Sequence, residues 1–573
     1  MNKHAYISMA RGDQPVDLVF KNANIVNVFT KTIEQENLAV SDGIIIGIGD
    51  YNGKEEIDLK GAYIAPGFID GHVHIESSML TPEHYAQITI PRGTTTVLAD
   101  CHEIANVLGK EGIDFMLSSS EKSIQDVFMM IPSCVPATPF ESSGAVLNAR
   151  DIEPYKNHPR VKGLGEMMDY VGAVNGHEDV LSKIQDYSDK VIDGHAPGLM
   201  GKDLNAYVLA GVETDHECVE AKELIEKVKR GMYIHLREGS QTKNVLDLIP
   251  GLSADYYQRI LLCSDDLHPF DMRHSGHIDH NINLAIQAGI DPIQAISMAT
   301  INSANCYRLY KRGAIAPGYI ADLVIFDDLS SIDVKRVYKK GQLVAENHKA
   351  LFNVQVNIPE TVLNTVHIHP KKMDFTMTLK SNVVWAIGLI KNNVSTEKLK
   401  ETVWLDNHQF NCKDNPGYLK LAVIERHHQT GHIGLGIVKG YGLKHGAVAM
   451  TIAHDSHNII CLGDSDRDMH LAVERIEMIG GGIVLVSKGK VVSEIQLDVA
   501  GLMSSNNADY VIQQLNDLET HIKAMGINPE IEDPFLQLAF LSLPVIPKLK
   551  VTDLGLFDVD QFKIIPLEVS ESK

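Results

Sequence analysis

Two histidines two residues apart, His72 and His74, close the segment Pro66-Gly67-Phe68-Ile69-Asp70-Gly71-His72-Val73-His74. On a β-strand, residues i and i+2 point to the same side. The pair therefore projects two imidazoles into one space, a geometry with which one strand can grip one metal ion. Residues of matching chemistry recur at the ends of later apolar runs: Glu166, His195, His216 and Asp265. Imidazoles joined by two carboxylates suit a borderline divalent cation such as manganese, iron or zinc, rather than calcium or a thiolate site.

The elements that must position these groups follow from the pattern around them. From residue 66 onward, short apolar runs alternate with helical stretches at a period of roughly thirty residues, the sign of parallel βα units. Eight runs read as strands, ending near His74, Asp100, Ile131, Glu166, His195, His216, Glu238 and Asp266. Eight such units predict a (β/α)8 TIM-like barrel, whose functional groups gather at the C-terminal ends of the strands. The ligand candidates occupy those ends. No glycine-rich phosphate loop follows the first strand, which speaks against an open doubly wound sheet.

Residues 17–65 read as short strands with a hairpin turn at Asp42-Gly43. Strands return from Gly313 to Val344 and are expected to rejoin the first set. The expected organisation is thus a β-sandwich-like composite domain (1–65 and 315–355), a barrel (66–314) and a C-terminal α+β domain (356–573). Between barrel and returning strands, Ile282 to Ala288 and Pro292 to Tyr310 read as helices. In the last region, Ser465 has the spacing of a helix cap and Gly480-Gly481-Gly482 stops the helix that follows.

Net charge is −22, from 52 basic and 74 acidic side chains, which disfavours a nucleic-acid partner. The 7 cysteines include no C-x-x-C pair. A disulfide framework is therefore not expected, and a reducing, cytoplasmic location is. No apolar run is long enough to span a membrane, and a homo-oligomer, most simply a homodimer, is the default expectation.

Pro66 to His74, His195, His216, Asp265, and Gly313-Ala314-Ile315-Ala316-Pro317-Gly318 through Ala321-Asp322-Leu323-Val324 resemble the amidohydrolase superfamily. Within it, six segments resemble the bacterial adenine deaminases: His74 to Leu80, Gly165 to Met168, Asp193 to Gly198, Thr214 to Glu217, Arg237 to Ser240 and Ser264 to Pro269. His454-Asp455-Ser456-His457-Asn458 carries the likeness beyond the barrel.

The resemblance implies hydrolytic deamination of adenine, with two divalent ions, Mn2+ or Fe2+ first and Zn2+ next. It places His72, His74 and Asp265 on one ion, His195 and His216 on the other, and Glu166 between them. Many superfamily members use a carboxylated lysine as the bridge; Lys162 shares Glu166's strand face but lies nearer the barrel floor. Asp265 is then expected to take the proton of the attacking water. Glu238 is the candidate for catalytic contact with a ring nitrogen, and Asp266 for the exocyclic amine or N7. His102, in Asp100-Cys101-His102-Glu103, and Glu76 are candidates for substrate contact, the former cluster alternatively for an additional metal, with His454, Asp455 and His457 as a C-terminal contribution. His274, His277 and His280 read as loop structure near the substrate.

Two rival readings remain at this point. One is hydrolysis of a cyclic amide of the dihydroorotate or hydantoin kind, which Glu166 in place of a bridging lysine opposes. The other is a non-catalytic scaffold barrel, which would be expected to have lost ligands. A nucleic-acid deaminase with the H-x-E…P-C-x-x-C signature is excluded because the cysteines are absent.

Overall fold

A computed structural model describes residues 3–369, 373–391 and 393–569. At its centre stand eight parallel strands: β1 Phe68–Val73, β2 Thr94–Asp100, β3 Asp126–Ile131, β4 Val161–Met167, β5 Val191–Gly194, β6 Thr214–Asp215, β7 Tyr233–Arg237 and β8 Ile260–Cys263. β1, β2, β5 and β8 are buried at every position, as expected where helices cover the outside of a parallel sheet and side chains fill the inside.

The strands form two ladders, β1 to β5 and β6 to β8. The ring closes between β8 and β1, where the Asp265 N–H donates to His72 O at 3.0 Å. Between β5 and β6, the Glu213 N–H donates to Ile192 O at 2.9 Å. The six-residue run Gly211 to His216, expected as a strand, contributes only the two residues of β6.

The helices after β8 run Pro269–His274, Ile278–Gln287, Pro292–Met298 and Ile301–Cys306, so the expected helix from Pro292 to Tyr310 is broken in two. Of the three spaced histidines, His277 is buried and His274 is exposed. The His277 ring lies 3.2 Å from Asp70 Oδ2 and also meets Tyr85 Oη at 2.8 Å and Thr94 Oγ1 at 2.7 Å. Asp70 in turn accepts the Ser264 backbone N–H at 3.0 Å, tying β1 to the end of β8. His277 thus braces the barrel beneath the site.

Segments on both sides of the barrel share one nine-stranded sheet. Tyr63–Pro66, which leads into the barrel, lies antiparallel to Leu323–Phe326, which leaves it, with Phe326 opposite Tyr63 and Leu323 opposite Pro66. The Asp42-Gly43 hairpin turn has φ of 51° and 75°. A two-residue turn of this kind needs both positions left-handed.

The C-terminal domain is built on an eight-stranded sheet, with one parallel pair among antiparallel ones. Helix Asp466–Ile479 packs against one face, started by the Ser465 side chain and ended by Gly480 at φ 77°. Residues from the sheet's other face join the barrel's apolar core, so the two domains share a continuous interior. Further on, helix Pro534–Ala539 runs into a tight turn, Phe540–Ser542. Among the described residues no helix is long and apolar enough to cross a membrane.

Candidate active site

At the C-terminal ends of the barrel strands the structure gathers His72, His74, Glu166, His195, His216 and Asp265, all buried. The alternation of β1 sends His72 and His74 inward together, with their Nε2 atoms 3.2 Å apart. His74 Nε2 lies 3.4 Å from both Glu166 Oε1 and Asp265 Oδ1, while its Nδ1 points at the Asp100 carbonyl at 3.1 Å. A ring that donates through Nδ1 to a carbonyl presents a lone pair at Nε2.

Glu166, at the end of β4, stands at the centre. Its Oε2 lies 2.8 Å from His195 Nδ1 and 3.0 Å from His216 Nε2. Burial opposes its charge, but the imidazoles of His195 and His216 prevail and hold the carboxyl well below its usual range. Asp265 sits just beyond β8 with φ 57°, a left-handed conformation an aspartate tolerates. Its Oδ2 accepts from Arg237 Nη1 at 2.8 Å and Thr242 Oγ1 at 3.3 Å, leaving Oδ1 toward His72 and His74.

A cavity opens above this cluster. Its polar lining includes His74, His102, Glu103, Glu166, Glu217, Asp265 and Asp266. Asp266 is hydrogen-bonded through Oδ1 to Ser77 Oγ at 2.6 Å, and the same hydroxyl meets Glu103 Oε1 at 2.8 Å. His102 stands between Glu166 Oε1, 3.4 Å from its Nδ1, and Asp455 Oδ1, 3.8 Å from its Nε2.

Three sequence candidates are placed elsewhere. Glu238 does not line the cavity; its backbone pairs with Lys243 and burial raises its carboxyl to about 7. The reason is the strand period: His235 and Arg237 share the inward face of β7, so Glu238 falls on the other side. Glu76 is 1% exposed but absent from the lining, and its Oε1 accepts the Ile104 backbone N–H at 3.3 Å. His457 is also outside the lining; its Nδ1 accepts the Ala453 N–H at 3.2 Å.

Glu217 is the residue the sequence reading passed over. It receives Arg237 through both of its oxygens, at 2.5 and 2.9 Å, and lies 3.4 Å from His216 Nε2. The available signal was its place directly after His216 in Thr-Asp-His-Glu.

The amidohydrolase family profile matches residues 63–344, and the adenine deaminase C-terminal domain profile matches residues 393–563. Adenine deaminase 2 of Carboxydothermus hydrogenoformans is 48% identical over 98% of this chain and 99% of its own. Adenine deaminase of Clostridium acetobutylicum is 47% identical over 98% and 99%. The chain belongs to the adenine deaminase family.

The family's C-terminal domain is part of the cavity wall here. It supplies His454 and Asp455 from the turn between strands Gly446–Met450 and Ile459–Gly463, together with Val394, Phe540, Leu543 and Ile546. His454 stacks on Phe540 with ring centroids 4.6 Å apart. A backbone bridge between Leu80 and Ser504 fixes the domain to the segment that follows His74.

Behind this apolar wall, Lys550 is fully buried with no carboxylate partner among the described residues, its Nζ donating to Val394 O at 2.7 Å and Phe540 O at 2.9 Å. Burial pushes its ammonium down to about 7. With an unfolded value near 10.4, the unfolded chain binds more protons between pH 7 and 10, so this group adds stability as pH rises through that window. Lys550→Met is expected to remove that slope. The urea midpoint of the unmodified protein should climb relative to the variant from pH 7 to 10, by the equivalent of roughly 4 kcal/mol. Curves that stay parallel would show an ordinary lysine.

Proposed function

We propose that this chain hydrolyses adenine to hypoxanthine and ammonia at this cavity, with two divalent cations, manganese or iron before zinc. The observation that carries the reading is Glu166 at the end of β4, within 3.4 Å of imidazoles from β1, β5 and β6 at once. A cyclic-amide hydrolase would be expected to place a lysine there. Lys162 instead lies over the Phe128 ring, 4.6 Å from its centroid. The two curated relatives, both named adenine deaminase and matched over their whole lengths, support the same substrate.

The donor set fits cations. The His74 Nε2 lone pair faces two carboxylate oxygens at 3.4 Å, an arrangement that calls for positive charge between them. His72, 0% exposed, is held neutral by burial and by the neighbouring His216 and His74, as a ligand imidazole must be. His72, His74 and Asp265 would hold one ion, His195 and His216 the other, with Glu166 between. When bound, such ions supply the Lewis acidity that brings the ionisation of water to about pH 7.

The chain's own groups do the rest. Asp265, oriented through Oδ2 by Arg237 and Thr242, uses Oδ1 to take a proton as the water oxygen bonds to C6. That proton passes to N1 as C6 becomes tetrahedral; Asp265 then takes the remaining hydroxyl proton and hands it to N6, so that the C6–N6 bond breaks with release of ammonia and C6 becomes a carbonyl. Asp266 and Glu103, joined through the Ser77 hydroxyl, face the cavity where the exocyclic amine must be held. Val394, Phe540, Leu543 and Ile546 keep bulk water out, which strengthens these polar contacts.

Manganese- or iron-loaded protein incubated with adenine is expected to release ammonia and hypoxanthine in equal amounts, followed by ultraviolet absorbance and an ammonia assay. Turnover of dihydroorotate or a hydantoin without turnover of adenine would overturn the reading.

A further inference from the structure

Nothing in the reaction at C6 uses His454, yet it is built into the cavity with care. It comes from the C-terminal domain, lines the cavity, is 2% exposed and stacks on Phe540. Its two ring nitrogens have different surroundings. Nδ1 faces carboxylates, Glu103 Oε1 at 3.5 Å and Asp455 Oδ1 at 3.8 Å. Nε2 is buried and meets no hydrogen-bond partner among the described residues. An unsatisfied buried nitrogen is costly, on the order of 1–3 kcal/mol, and is commonly reserved for a ligand.

The tautomer follows from those neighbours. A proton on Nδ1 is attracted by the Asp455 carboxylate, whereas a proton on Nε2 would leave Nδ1's lone pair facing it. Burial holds the imidazole below its ordinary value, so the ring is neutral with Nδ1–H and an accepting Nε2. An acceptor needs an N–H from the substrate. A free purine base has one on its five-membered ring; a nucleoside, substituted at N9, has none.

We propose that His454 is a specificity-determining residue, whose Nε2 accepts the imidazole-ring N–H of the free base and so excludes nucleosides and N-alkylated purines. The inference rests on adenine being the substrate of this cavity. His454 thus reads the substrate's other ring while the barrel works on C6, and the C-terminal domain decides which purines enter.

The test compares kcat/KM for adenine, 9-methyladenine and 7-methyladenine in the manganese-loaded protein; both methylated bases lack a ring N–H. His454→Phe keeps an aromatic ring on Phe540 and removes the acceptor. It is expected to lower kcat/KM for adenine by about ten- to hundredfold and to leave the methylated bases little changed, so that discrimination collapses. His454→Gln, whose amide oxygen can accept, is expected to recover part of the preference. Metal content and circular dichroism confirm that each variant is folded and loaded. An equal loss on all three bases in both variants, or no loss on adenine, would overturn the proposal while leaving adenine deamination standing. Failure of the unmodified protein to deaminate adenine would instead remove the function on which it rests.

Discussion

Glu166→Gln is expected to strip most of the bound manganese and to cut turnover on adenine by about a hundredfold or more. The substitution keeps the side chain's volume, so β4 and its packing should survive. What changes is the charge at the meeting point of three imidazoles. One carboxylate oxygen lies 3.4 Å from His74, and the other lies 2.8 and 3.0 Å from His195 and His216. An amide offers one oxygen and one NH2 group, so it cannot present an acceptor to both sides. Its neutral group also no longer offsets the charge of the proposed cations in a buried site. Metal analysis after dialysis, with initial rates of ammonia release, checks this. Full metal occupancy with an unchanged rate would deny Glu166 its bridging place.

Arg237→Met should have the larger effect on stability. The guanidinium engages both oxygens of Glu217 and one of Asp265, all largely buried. Removing one partner of a buried ion pair leaves charge without compensation, which costs about 3–5 kcal/mol. Here two carboxylates are left at once, one of them the proposed proton acceptor. Arg237→Lys is not expected to rescue, because a single ammonium lacks the planar fork that spans both acids. The urea midpoint of the metal-loaded protein is the measurement, and Glu217→Gln combined with Arg237→Met should regain part of the loss. A midpoint within experimental scatter of the unmodified protein would show that solvent or a nearby group compensates.

The barrel was legible because its evidence is local and repeats: a strand, then a residue of ligand chemistry at its end. The composite sheet was legible from strand signals on either side. The six-residue cluster came into view from the same strand-end logic. Glu238 was misplaced although the strand period held the answer: once His235 points inward, Arg237 must follow and Glu238 cannot. Glu217 went unnoticed because β6 is too short to display an alternation. The apolar wall was beyond reading, since Val394, Phe540, Leu543 and Ile546 meet the barrel only through tertiary packing. A tract near residue 540 looks like ordinary core until its neighbours are known.

The pairing of Tyr63–Pro66 with Leu323–Phe326 sets an order of events during synthesis. The second strand leaves the ribosome about 260 residues after the first. At typical elongation rates that is a delay of about 13 to 50 s. For that time one edge of the earlier strand has no partner, and an unpaired edge invites association with other chains. The growing chain must finish its barrel before it can cover that edge, so a pause or truncation within residues 66–323 would release a nascent protein with an open, adhesive sheet.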